Sequence, residues 1–296
     1  MDSRLNAFLE RADAVLARLE PLLPAPREAV DWNRSLAARW VQEGRSGYLM
    51  PLEVSLDMRL SDLIGVDLQR EQLGRNTRQF IDGLPANHAL LWGSRGTGKS
   101  SLIRALLAEY AQAGLRLIEI ERDHLGDLPR VVEQLQKLPQ RFVLFCDDLS
   151  FEAGESDYRV LKSVLDGSLE QAPDNVLLYA TSNRRHLVPE KESDNANWKH
   201  VDGELHPSEA VEDKIALSDR FGLWLSFYPF TQEHYLNVVE HWITQLALAA
   251  GLSWQRDAEL DKLAIRWATG RGNRNGRCAY QFARYWVGLK LLEQQP

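Results

Sequence analysis

The eight residues Gly93-Ser94-Arg95-Gly96-Thr97-Gly98-Lys99-Ser100 have the G-x-x-x-x-G-K-S spacing that suits phosphate chemistry. Glycines in such a loop let main-chain N–H groups wrap a phosphate chain before the backbone opens into a helix. Lys99 would bring a point charge to the β and γ phosphates, and the Ser100 hydroxyl would ligate Mg²⁺. The flanking residues agree, because the apolar run His88 to Trp92 reads as a strand and Ser100 to Gly114 has helical periodicity. Nucleotide contacts are therefore expected at Gly93, Ser94, Arg95, Gly96, Thr97, Gly98, Lys99, Ser100 and Ser101. Trp92 abuts the loop and is expected to report binding by fluorescence.

Four further segments carry groups that a phosphate site could use. Phe142 to Asp148 is an apolar strand ending in two carboxylates. Beside a P-loop, Asp147 would hold Mg²⁺ through its water shell and Asp148 would position or deprotonate the attacking water. Ala180 to Asn183 ends another apolar strand, where Asn183 or Thr181 would sense a γ phosphate through that water. Arg220, before the strand Leu223 to Tyr228, and Arg277, at the start of the last helix, read in isolation as ordinary surface charges.

These groups need elements to position them. Apolar segments at His88–Trp92, Leu115–Ile120, Phe142–Asp148, Asn175–Asn183 and Leu223–Tyr228, mostly separated by helical patterns, predict a five-stranded parallel sheet covered on both faces. That is α/β, a three-layer αβα sandwich. The extra strand between the P-loop helix and Asp147 implies that the two motif strands are not neighbours, the mark of additional-strand P-loop NTPases. Residues 55–228 form this core in our reading, and 229–296, wholly helical, a small lid. Residues 1–54 are read as N-terminal helices: one from the start of the chain, a break at Pro21, Pro24 and Pro26, and a second amphipathic stretch from Trp32 to Glu43. Lys191 to Asp213 is polar and reads as a long loop, its His200, Asp202, Glu204 and His206 included.

Composition limits the partners. The chain has 296 residues, 44% hydrophobic and 26% charged, with a net charge of −7. No global basic field favours nucleic acid, which is left open but not indicated; Arg184, Arg185, Arg271 and Arg274 are the local clusters. Two cysteines build no disulfide framework, and no apolar run is long enough to span a bilayer, so a cytoplasmic protein with no membrane partner is expected. C-x-x-C, H-E-x-x-H and G-x-S-x-G motifs do not occur.

In this order the features resemble an AAA+ ATPase module over about Leu60 to Leu292, with Leu63-Ile64-Gly65 similar to the segment that contacts the base. The strings GLPANHALLWGSRGTGKSSLI, RFVLFCDDLSF, YATSNRRHLVPE and LSDRFGLWLSF resemble the bacterial AAA+ family known as domain of unknown function 815. That resemblance implies ATP and Mg²⁺ as cofactors and a homo-oligomer, ring or open, acting on an unidentified protein client. It also implies Asn183 as the sensor-1 group, Arg220 as an arginine finger directed at a neighbour's ATP, and Arg277 as the sensor-2 arginine. Asp147-Asp148 departs from the usual Asp-Glu, so the shorter Asp148 puts brisk hydrolysis in doubt. Two readings follow: an ATPase remodelling or regulating a protein partner, and a slow nucleotide-dependent switch or loader that assembles on ATP, with DNA as one setting. A third is a scaffold that nucleotide merely stabilises. Threading of a substrate is disfavoured, since Glu121 to Arg130 lacks an aromatic residue other than His124.

Overall fold

The computed structural model describes residues 2–19, 29–44, 46–150, 160–162, 165, 173–183, 199–201, 204–206 and 219–294. Contacts divide the chain into two units, Met1–Asp31 and Trp32–Pro296. The first holds helix α1 (Asp2–Leu19), which matches the expected N-terminal helix.

The second unit is built on a seven-stranded sheet in the order β2 (Ser46–Leu52), β1 (Ala37–Glu43), β4 (Leu115–Glu119), β5 (Arg141–Cys146), β6 (Val176–Ser182), β3 (Ala89–Gly93), β9 (Leu223–Phe227). Its parallel part comprises β3, β4, β5, β6 and β9, all five of the anticipated strands. They are near-continuous apolar runs because both faces are covered. On one face lie α2 (Asp67–Ile81) and α3 (Lys99–Tyr110), which share a hydrophobic cluster with β3 and β5 through Leu73, Leu102, Leu91 and Val143. Helix α4 (Leu128–Leu135) joins β4 to β5. Strand β6 lies between β3 and β5, so the P-loop strand and the acid-bearing strand are not neighbours, as the extra strand implied.

The sheet has seven strands, not five, because the stretch from Trp32 to Glu43 is not a helix. It enters β1 (Ala37–Glu43), which forms an antiparallel hairpin with β2 (Ser46–Leu52) and runs parallel to β4. Long-range contacts decide this. Trp40 Nε1 donates to Asp127 Oδ2 at 3.1 Å, and Arg39 pairs with Glu119 at 2.8 Å. Pro51 is tolerated because β2 is an edge strand.

Beyond β9 the chain is helical: α5 (Gln232–Ala250), α6 (Ala258–Gly270) and α7 (Gly276–Glu293). Each begins at a side-chain cap, Thr231, Asp257 and Asn275 respectively. They enclose their own apolar cluster around Tyr235, Ile243, Ala264 and Phe282. Within the polar stretch 191–213, the described residues form a short antiparallel pair, β7 (Lys199–Val201) and β8 (Glu204–His206).

Candidate functional site: a P-loop beneath a helical lid

Because β3, β5 and β6 are parallel, the loops that follow them open at the same edge of the sheet. The P-loop leaves β3 with Ser94 N bonded to Phe227 O at 3.0 Å, and it tightens where Thr97 Oγ1 donates to Ser94 O at 2.7 Å. Lys99 begins α3 and is buried. Its ammonium donates to Gly93 O and Ser94 O, both at 2.8 Å, and to Asn183 Oδ1 at 3.4 Å. Burial lowers the Lys99 pKa, while the negative charges of Asp147 and Asp148 oppose that shift.

The two acids following β5 are held by different partners. Asp147 Oδ1 accepts from Ser100 Oγ at 2.7 Å and from the Thr181 hydroxyl. These are hard oxygen donors of the kind that magnesium takes. Asp148 accepts from Asn183 Nδ2, and its other oxygen lies 3.5 Å from Arg95 Nη2. Its backbone is left-handed, with φ 55°, the one non-glycine residue with positive φ among those described. Thr181, weighed in sequence as a sensor beside Asn183, is fully enclosed and bonds both acids: its hydroxyl also accepts from Asp148 N at 2.9 Å.

Above the loop is a cavity of about 780 Å³, within the usual range for small-molecule sites. Its walls include Ile64, Arg95, Gly96, Thr97, Gly98, Lys99, Ser100, Ser101, Asp147, Asp148, Asn183 and Arg277. Gly65 adjoins this wall, and Gly93 and Ser94 contribute through the carbonyls that hold Lys99. The lid adds Phe230, Trp242 and Tyr280, which sequence reasoning missed. Trp242 falls at helical core spacing and packs against the lid cluster, yet it also faces the cavity, edge-on to Tyr280 at 4.9 Å. Trp92 instead packs edge-on to Tyr228 at 6.3 Å, and the cavity wall does not include it. The better fluorescent reporter is thus Trp242. His234 Nε2 lies 2.8 Å from Ile64 O, and since a carbonyl can only accept, Nε2 carries the proton.

Arg220 is not brought into this cavity. Phe227 pairs with Gly93, and Arg220 lies back toward the other end of the sheet, on the order of 20 Å away at the rise of an extended chain. Arg184 and Arg185 lie outside the described residues, and Arg271 stacks on the Trp267 ring at 3.6 Å. Among the described residues no three His, Cys, Asp or Glu gather to hold a metal, so a magnesium ion here would draw on the Ser100 hydroxyl, Asp147 and phosphate oxygens. No helix among the described residues is long and apolar enough to cross a membrane.

Comparison with solved structures finds the AAA+ fold. The Thermotoga maritima RuvB Holliday junction branch migration motor aligns over 77% of this chain and 63% of its own, with TM-score 0.50 and 16% identity. An Aeropyrum pernix Orc1 protein in complex with DNA aligns over 80% and 65%, with TM-score 0.52 and 16% identity. This chain therefore spans less than two thirds of the length of either. Domain III of the Thermotoga maritima replication initiation protein DnaA aligns over 83% and 94%, with TM-score 0.50 and 12% identity. No curated protein sequence matches significantly. A family model described as protein of unknown function, DUF815, matches residues 33–290, so this chain, with its AAA+ fold and P-loop, is a member of the DUF815 family.

Proposed function

We propose that the protein binds MgATP in the cavity between P-loop and lid and hydrolyses it slowly at a site completed by a neighbouring subunit. The observation that carries this reading is the convergence of Lys99, Ser100, Asp147, Asp148 and Asn183 at one edge of the sheet, each bonded to another of the set. Lys99 would exchange the carbonyls of Gly93 and Ser94 for the β and γ phosphates. Ser100 and Asp147 would hold Mg²⁺, which when bound neutralises phosphate charge. Asp148 would orient water, with Asn183 fixing its carboxylate, and Ile64, Gly65 and the lid aromatics would flank the base. Arg277 would face the phosphates. Arg220, remote from its own chain's cavity, would reach a neighbour's ATP and contribute roughly 10³ to 10⁵ in rate.

We place the protein in the cytoplasm, as a homo-oligomer that remodels or regulates a protein client. The slow switch or loader is the second reading, and one observation favours it: Asn183 and Arg95 already occupy the Asp148 carboxylate. Of the structural neighbours, one is a Holliday junction branch migration motor and another an Orc1 protein in complex with DNA, so salt-dependent DNA affinity would move this reading ahead.

ATP turnover per subunit across a concentration series tests the composite site. It should rise as subunits associate. Lys99→Ala should abolish binding, whereas Arg220→Ala should bind ATP normally and lose turnover. Unchanged turnover in Arg220→Ala would falsify the finger, and tight binding without turnover at any concentration would favour the switch.

A further inference from the structure

The lid touches the P-loop from behind, at its carbonyls. Asn275 Nδ2 donates to Arg95 O at 3.1 Å, and Gly276 N donates to Gly96 O at 2.9 Å. The Asn275 side chain does two jobs, because its Oδ1 also accepts from Cys278 N at 2.9 Å as the cap of α7. The approach is close enough to dictate residue type. The P-loop motif leaves position 96 open, yet Gly96 has φ 75° and a Cβ there would lie 2.7 Å from the Asn275 amide. A Cβ on Gly276 would lie 3.1 Å from Gly96 O.

A peptide unit is planar, with its C=O and N–H pointing opposite ways. Fixing the carbonyl of Arg95 therefore fixes the N–H of Gly96, and fixing the carbonyl of Gly96 fixes the N–H of Thr97. These are amides of the loop that a phosphate chain would meet. We infer that Asn275 is a positioning residue: with Gly276 it clamps the P-loop from its outer side, so that the placement of α7 sets how well the loop amides are aimed at phosphate. The inference rests on the nucleotide reading above. Arg277 lies two residues on and lines the same cavity, so clamp and arginine move together.

Asn275→Ser in the full chain separates the two jobs, since serine keeps a capping oxygen but is too short to reach Arg95 O. Binding of ATP and of inorganic tripolyphosphate, followed by calorimetry, should weaken by the same factor of about five to ten. The thermal midpoint without ligand should stay within about 3 °C of the parent. Gly96→Ala, acting from the loop side, should weaken both ligands similarly. Unchanged affinity in Asn275→Ser overturns the inference, as does weakened ATP with unchanged tripolyphosphate, which would put the effect at the base wall. Affinity and midpoint collapsing together also overturn it, because they would mark a merely structural cap. If the parent protein binds neither ligand, the nucleotide reading itself falls, and this inference with it.

Discussion

His88 is held neutral by burial, which pushes its pKa down to about 4. Its Nδ1 accepts from Leu178 N at 2.9 Å, and its carbonyl accepts from Leu223 N at 3.2 Å, so one residue ties β3 to both neighbouring strands. The sign of the pH effect follows. In the unfolded chain the imidazole gains a proton below its ordinary value of 6.5, whereas the folded chain gains it only near 4. Stability is thus full above pH 6.5 and declines as pH falls toward 4, by about 3 kcal/mol in all. Thermal midpoints between pH 7.5 and 4.5 should fall on this account, and His88→Gln, which keeps an acceptor without a titration, should flatten that decline. His88 had no visible role in the sequence, where it merely opened an apolar run. Lys99 and Ser100 were legible because their spacing is local, and Asp147 because it ends an apolar strand. Thr181 was half legible: its strand end was plain, but its bonds to both acids depend on β6 lying beside β5.

At the scale of elements, the five parallel strands could be read because each is an apolar run long enough to bury both faces. The hairpin β1–β2 could not, since Ala37, Ala38 and Trp40 are compatible with a helical face and only partners far along the chain choose the strand. Trp40 is enclosed and donates to Asp127, a carboxylate that is itself nearly buried. Trp40→Phe removes that donor and leaves Asp127 with the ion pair to Arg130 at 3.2 Å. The variant should lose about 1–3 kcal/mol in denaturant unfolding. Its affinity for ATP should equal the parent's, because the hairpin lies four strands from β3; a matching loss of affinity would mean that the added strands also shape the site. The lid's aromatic wall was illegible for another reason. Helical spacing marks Trp242 as apolar-facing but says nothing of where α5 ends against the P-loop.

For the molecule as a whole, the sheet carries Lys99 and Arg220 at opposite ends of adjacent strands, so no single chain brings them together. Mixing inactive Lys99→Ala with inactive Arg220→Ala subunits should restore turnover, because an Arg220→Ala site can then face an intact Arg220. A mixture that co-assembles yet stays inactive would remove the trans assignment. The bend after β5 has a consequence for which sequences can be reached from this one. Asp148 N is bonded to Thr181 Oγ1 and Leu149 N to Thr181 O at 2.6 Å, which locks the left-handed turn. Aspartate, asparagine and glycine settle there readily, while other residues are strained by roughly 1–2 kcal/mol. Asp148→Glu, the longer acid, should therefore carry that strain of roughly 1–2 kcal/mol unless the turn held by Thr181 relaxes, so this backbone itself favours the shorter carboxylate.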